Sequence, residues 1–233
     1  MREMKAAALI VEHDTPDLLA LCLASLQRFA PAVRPVVVRG YEGAEAHAVE
    51  IEAARRHQKL GDAEIVILLD TDVVIWSPRW IMWVEYWLGR HGLEAIGGMR
   101  HRGDISQILL NGQLILHAHC LAMTRNLFER VRSFTANGVL DTAWHVTQEA
   151  KGTLVLKPDF DGRVGIYREN RDLSRAPLWA HLGRGTSFRP RGPWRERARR
   201  LAARLGSARA QKILSYQQDR AAFLRIGWEI VGA

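Results

Sequence analysis

An α/β fold with a mostly parallel sheet is predicted from three observations. Strand-like and helix-like segments alternate three times over the first hundred residues. The third strand-like segment, Ile65 to Leu69, is apolar at every position, as in a strand with both faces covered. Two pairs, Thr15-Pro16 and Ser77-Pro78, supply helix starts in which the hydroxyl residue caps and proline takes the first helical position.

The elements follow in order. Ala6 to Val11 is short, apolar and compatible with a strand. From Pro16 onward Leu18, Leu19, Cys22, Leu23 and Leu26 recur at helical spacing. Val33 to Arg39 reads as a second strand, and Glu45 to Lys59, rich in Ala, Glu and Arg, as a second helix with Gly61 near its end. Ile65 to Leu69 is the third strand, Trp80 to His91 a helix stopped by Gly92, and Leu93 to Gly98 a fourth strand. Beyond it the pattern is less regular. Gln113 to Met123 reads as a strand, Asn126 to Arg132 and Asp141 to Ala150 as helices, and Thr153 to Leu156 as a strand. Gly162 to Arg191 is loop-like, and Trp194 to Leu205 is a basic amphipathic helix with Trp194, Ala198, Leu201 and Leu205 at helical spacing.

Composition narrows the class. Of 233 residues 48% are hydrophobic and 25% charged, which excludes disordered and collagen-like chains. A chain of this length buries roughly 70–75% of its unfolded surface and needs no staples. Two cysteines, Cys22 and Cys120, cannot build a disulfide framework or a structural zinc site. Both lie in apolar stretches and read as small buried hydrophobes in a reducing compartment. No apolar run reaches the ~18 residues that span a bilayer, and the six-residue run after Lys5 is too short for a signal peptide. The expectation is a soluble, cytoplasmic chain.

Charge is placed unevenly. Residues 1–162 carry 17 Lys/Arg and 20 Asp/Glu, whereas residues 163–233 carry 16 Lys/Arg and 5 Asp/Glu. Ten of these cations and one Glu fall between Arg184 and Lys212. This segment is expected either to be a solvated basic helix or to dock on an anionic membrane surface, placing the protein peripherally on the inner face of the membrane. No nucleic-acid motif accompanies it, and no nucleic-acid partner is expected.

Ligands of parallel α/β sheets bind beyond the carboxyl ends of the strands. This singles out Glu12-His13-Asp14, Arg39-Gly40-Tyr41-Glu42 and Asp70-Thr71-Asp72. The last is the sharpest. Two carboxylates one residue apart repel unless a cation sits beside them. Hard oxygen donors suit Mg²⁺ or Mn²⁺, ions usually held by one or two carboxylates plus substrate phosphates. The plain alternative is a solvated turn with an aspartate N-cap. His181 reads as a metal ligand, a phosphate contact or a surface histidine. Gly183, Arg184, Gly185, Thr186 and Ser187 after it form a loop suited to closing over phosphates. His117 and His119 alternate along a strand-like run and share a face, where packing is the default. Trp76, Trp80, Trp83 and Trp87 read as core.

The run Ile65 to Val74, with its Asp70-Thr71-Asp72, resembles the Asp-x-Asp strand of GT-A glycosyltransferases. Leu9 to Asp14, with Leu18-Leu19 and Leu23 to Leu26, is similar to the opening of the inverting family-two enzymes, and Leu121 to Phe128 to the stretch before their acceptor region. Leu140-Asp141 with Gly152 resembles their acidic motif, and His181-Leu182-Gly183 the late histidine of the metal site. Asn111-Gly112 is similar to a segment of the retaining family-eight enzymes. The likeness spans roughly residues 6–187. It departs at Leu140-Asp141, where an acidic pair is usual, and at Arg39 to Glu42, where an Asp normally meets the nucleobase.

The resemblance implies a GT-A domain over residues 1–190, with a nucleotide-binding half (1–100) and an acceptor half (101–190), then a basic helical extension over 191–233. It implies Mn²⁺ or Mg²⁺ on Asp70, Asp72 and His181. It implies a nucleotide-sugar donor on Val11, Glu12, His13, Arg39, Glu42, Asp70, Thr71 and Arg184, and a hydroxyl acceptor, lipid-linked if the membrane reading holds, on Asn111 and Trp144. Asp141 would be the general base of an inverting transfer; the plain alternative is an N-cap. A retaining transferase, a sugar-phosphate nucleotidyltransferase and a non-catalytic binding protein are the rival expectations. Glu12-His13-Asp14 is acidic where a nucleotidyltransferase would place a Gly-rich basic loop.

Overall fold

A computed structural model describes residues 4–39, 44–99, 109–110, 113–134, 143–161, 164–169, 177–182 and 193–232. The first sheet is built from β1 (Ala6–Glu12), β2 (Val33–Arg39), β3 (Ile65–Asp70), β5 (Ala95–Gly98), β8 (Cys120–Thr124) and β9 (Thr153–Leu156), in the order β2-β1-β3-β8-β5-β9. β1 pairs parallel with both β2 and β3, β5 pairs parallel with β9, and β8 runs antiparallel between β3 and β5. The sheet is therefore mostly parallel with one reversed strand. Pro35 lies in β2, an edge strand, where a missing N–H costs no ladder bond.

Helices cover both faces. Ala6, Ala8 and Ile10 of β1 and Ile65, Ile67 and Leu69 of β3 pack with Cys22 and Leu26 of α1 (Pro16–Phe29) and with Trp80, Trp83, Val84 and Leu88 of α3 (Arg79–Arg90). The alternate residues Ala7, Leu9, Val11, Val66 and Leu68 meet Ala48, Ile51 and Ala54 of α2 (Ala44–Arg56), Leu127 and Phe128 of α4 (Arg125–Arg130) and Val146 of α5 (Trp144–Glu149). The side-chain period of two assigns each strand residue to one layer.

A second, antiparallel sheet follows the order β10-β11-β12-β4 and contains β4 (Val73–Ile75), β10 (Asp159–Asp161), β11 (Val164–Tyr167) and β12 (Trp179–His181). This corrects the loop-like reading of Gly162 to Arg191 at Val164–Tyr167 and Trp179–His181. Strands of three or four residues are too short to display an alternating pattern, and only their pairing across the sheet reveals them. The expected strand Gln113 to Met123 is also broken. A two-stranded pair joins β6 (Leu109–Leu110) to β7 (Gln113–Leu114), and the chain turns at residues 118–119 before entering β8. The turn is fixed from outside: the His117 N–H donates to the Gly98 carbonyl at 2.9 Å, and the His119 carbonyl accepts the Asp70 N–H at 2.9 Å.

Two helices close the chain, α6 (Pro193–Arg204) and α7 (Ala208–Val231). Ser207 caps α7 by accepting the Ala210 N–H, and Gly232 ends it in the left-handed region at φ 78°. Phe223 of α7 joins Leu18 and Leu21 of α1 with Val74, Ala180 and Leu182 in a third apolar cluster. Beside it the guanidinium of Arg220 donates to Asp17 at 2.6 Å.

Candidate metal centre

Parallel strands that end together create the edge on which the centre sits. Val11 of β1 is level with Asp70 of β3, and Glu12 of β1 with Arg39 of β2. After Asp70 the chain makes a two-residue turn, Thr71-Asp72, and leaves the first sheet for β4. The turn is anchored from both sides. Thr71 is buried with its hydroxyl 3.2 Å from that of Thr15, and the Ile75 N–H donates to Ser25 Oγ at 3.0 Å. Thr15 precedes α1 as expected, but its side chain makes no helix-capping bond and faces Thr71 instead. Its N–H is taken by Glu12 Oε1 at 2.7 Å.

The second sheet delivers the third group. β12 runs antiparallel to β4 with His181 opposite Val73, and the Leu182 N–H donates to the Asp72 carbonyl at 3.0 Å. This register places His181 Nε2 3.3 Å from Asp72 Oδ1. Asp70, Asp72 and His181 each offer a ligand atom, and these atoms all lie within 4.8 Å of one another. Asp72 is 4% exposed and His181 7%, while Asp70 stands half-buried at the rim.

The donor set fits a small divalent cation. Ligands ~2.1 Å from one ion lie ~3 Å apart when adjacent and ~4.2 Å when opposite. Two carboxylates and an imidazole match Mn²⁺ better than the all-oxygen preference of Mg²⁺. The centre's negative field is felt by its neighbours. Burial first, then Asp72 and Asp70, pushes the Cys22 thiol far above its ordinary value. Burial, then Cys120 and Asp72, does the same to the Tyr167 hydroxyl. A cation at the centre would neutralise this field.

The remaining expected residues divide. Val11, Glu12, His13 and Arg39 lie at the ends of β1 and β2 along the same edge as Asp70. Asp14 follows in the left-handed region at φ 60° and lies 3.9 Å from the Arg39 guanidinium, both side chains exposed. Trp144 is half-buried at the first position of α5, on the α2 side of the sheet. Asn111, Asp141, Glu42 and Arg184 lie outside the described residues.

Three neighbours were not among the expected site residues. His119, wholly buried, stacks on His181 with ring centroids 4.2 Å apart and planes 6° from parallel. Its Nδ1 lies 2.8 Å from His117 Nδ1. Tyr167 lies 5.1 Å from His119 between centroids, stacks on Trp179 at 4.7 Å and donates to the Met99 carbonyl at 3.0 Å. The pair His117-x-His119 was visible as a motif; its approach to His181 needs the second sheet.

No family model and no curated protein matches this chain. Among solved structures, the mannosyltransferase PcManGT from Pyrobaculum calidifontis, in complex with GDP-Man and Mn²⁺, is 13% identical, with 97% of this chain and 86% of that one covered at a TM-score of 0.50. A197 from STIV is 14% identical over 74% of this chain and 93% of its own, with a TM-score of 0.49. Glucosyl-3-phosphoglycerate synthase of M. tuberculosis is 13% identical over 73% and 74%, with a TM-score of 0.48. At such identities it is the architecture that is shared: the chain has the GT-A glycosyltransferase fold.

Proposed function

We propose that this chain is a metal-dependent glycosyltransferase that moves a sugar from a nucleotide-sugar donor to a hydroxyl acceptor. The observation that carries the reading is the Asp70, Asp72 and His181 cluster at the carboxyl edge of a GT-A sheet. Departure of the donor's leaving group puts negative charge on a diphosphate, and a divalent ion at this cluster would supply the neutralising charge. Asp72 and His181, both buried, hold the ligand atoms at fixed positions, and Thr71 is locked by Thr15. Val11, Glu12, His13 and Arg39, with Glu42, are assigned to the nucleoside, and Arg184 to the phosphates. Asp141 is assigned as the base that takes the acceptor's proton in an inverting transfer, with Asn111 and Trp144 on the acceptor.

The test is direct. Purified protein incubated with a panel of nucleotide sugars and Mn²⁺ is expected to release nucleoside diphosphate, and Asp72→Asn to abolish the release. Turnover unaffected by Asp72→Asn would remove the metal from the reading, and pyrophosphate release from a nucleoside triphosphate would move the chain to nucleotidyl transfer. The anomeric configuration of the product, read by NMR, decides between inversion and retention.

We further propose that α6 rests on an anionic lipid surface, which would bring the centre to a lipid-linked acceptor. No helix among the described residues is long and apolar enough to cross a membrane. Charge complementarity favours a surface contact: Leu201 and Leu205 are 59% and 79% exposed, with the exposed Arg197, Arg200 and Arg204 beside them. Co-sedimentation with vesicles is expected to rise with phosphatidylserine content; indifference to it would discard the surface.

A further inference from the structure

One residue touches both halves of the metal centre without contributing a ligand atom. The backbone of His119 holds Asp70, accepting its N–H at 2.9 Å. The ring of the same residue lies flat against His181, 4.2 Å between centroids and 6° between planes. Asp70 and His181 reach the centre on different sheets, so His119 is a direct physical link between them.

The ring's own position is fixed. It is wholly buried, its Nδ1 is within hydrogen-bond distance of His117 Nδ1 at 2.8 Å, and the Tyr167 ring lies 5.1 Å away between centroids. Gly98 provides the space: a Cβ there would lie 2.7 Å from His119 Nε2 and collide with the Tyr167 ring. A buried, hydrogen-bonded plane stacked on a ligand ring restricts that ring's rotation about its Cβ–Cγ bond. A ligand nitrogen held in one direction loses less freedom on meeting a cation than a mobile one.

We propose that His119 is a positioning residue for the metal: it sets the plane of the His181 imidazole and the place of Asp70, and thereby raises the affinity of the centre for a divalent cation. The inference rests on the metal reading given above. Partners that hold a ligand by hydrogen bonds are worth roughly 10–100-fold in metal affinity, and a stacked ring is expected to act at the lower end of that range. Planarity is the property that matters, so phenylalanine should largely replace the histidine and leucine, of similar bulk, should not.

The experiment measures binding of Mn²⁺ alone, by EPR of the free ion and by calorimetry, to wild type, His119→Phe, His119→Leu and Asp72→Asn. Melting of each variant without metal, followed by circular dichroism, runs in parallel. The expected result is Mn²⁺ binding about tenfold weaker in His119→Leu, recovery to within a fewfold of wild type in His119→Phe, and equal metal-free melting of these two variants. Equal Mn²⁺ affinity in wild type and His119→Leu would overturn the inference while leaving the metal centre intact. So would equally weakened binding in the Leu and Phe variants, since loss of packing would then explain both. Wild type that binds Mn²⁺ no better than Asp72→Asn would instead overturn the metal reading itself, and this inference with it.

Discussion

Gly227 of α7 lies so close to Leu21 of α1 that a Cβ on it would meet Leu21 Cδ2 at 2.5 Å and Cδ1 at 3.2 Å. Leu21 is fully buried in the cluster that joins the last helix to the first. A glycine inside a helix costs about 1 kcal/mol against alanine, so this position gives up propensity for close approach. Overpacking a filled core costs about 1–3 kcal/mol. Gly227→Ala is therefore expected to lower stability by about 1 kcal/mol net, read by denaturant unfolding. Adding Leu21→Val, which removes the obstructing methyls, should recover part of the loss in a double-mutant cycle.

Gly98 is the corresponding contact at the candidate metal centre. Gly98→Ala would drive a methyl into His119 Nε2 and the Tyr167 ring, groups held by stacking and by the Tyr167 bond to the Met99 carbonyl. Because the displaced rings support His181, the variant is expected to lose Mn²⁺ affinity by more than its drop in melting temperature would account for. Calorimetry with Mn²⁺ on the folded variant checks this.

Glu94 gives the fold a dependence on pH. Burial alone would push its carboxyl upward, but the Arg130 guanidinium at 2.7 Å and the Lys151 N–H at 2.7 Å outweigh it and hold the carboxyl below the usual carboxylate range. A depressed carboxyl contributes stability that is present above the unfolded value, near ~4.3, and is lost as pH falls through the folded one. Glu94→Gln is expected to cost no more than about 1 kcal/mol at neutral pH, because both contacts lie at the surface and the amide oxygen can still accept them. The gap between variant and wild type should close as the solution is acidified below ~4, followed by urea unfolding.

The two thiols should be silent in the native state. Cys22 and Cys120 are free and buried, and burial, ahead of the nearby carboxylates, raises the thiol of each well above its ordinary value. Iodoacetamide at mildly alkaline pH is expected to leave both unmodified in folded protein and to alkylate both in urea, as read by intact mass.

Much of the frame could be read ahead of the structure because its signals are local. Ile65 to Leu69 announces a covered strand, Asp70-Thr71-Asp72 the edge where it ends, and Pro16 and Gly92 punctuate their helices within a residue or two. What escaped is held by distant pairing. β4, β11 and β12 are three or four residues each and have no period of their own; they exist because they pair with one another. His181 stands out in the sequence, but nothing in its own segment says that Val73 will lie opposite and carry it to Asp72. Likewise His117-x-His119 reads as an alternating strand pair, while in the fold it is a turn shaped by Gly98 and Asp70. Thr15 shows the same limit: its place before a helix was legible, but the use of its hydroxyl on Thr71 was not.

The antiparallel seam between Val73 and His181 also sets an order of events during synthesis. Both acids emerge from the ribosome with the first sheet, whereas the imidazole arrives only with the final strand of the second. A chain made only as far as Trp179 holds both acids but not the imidazole. The donor set is thus complete only once the last strand of the second sheet has closed on β4.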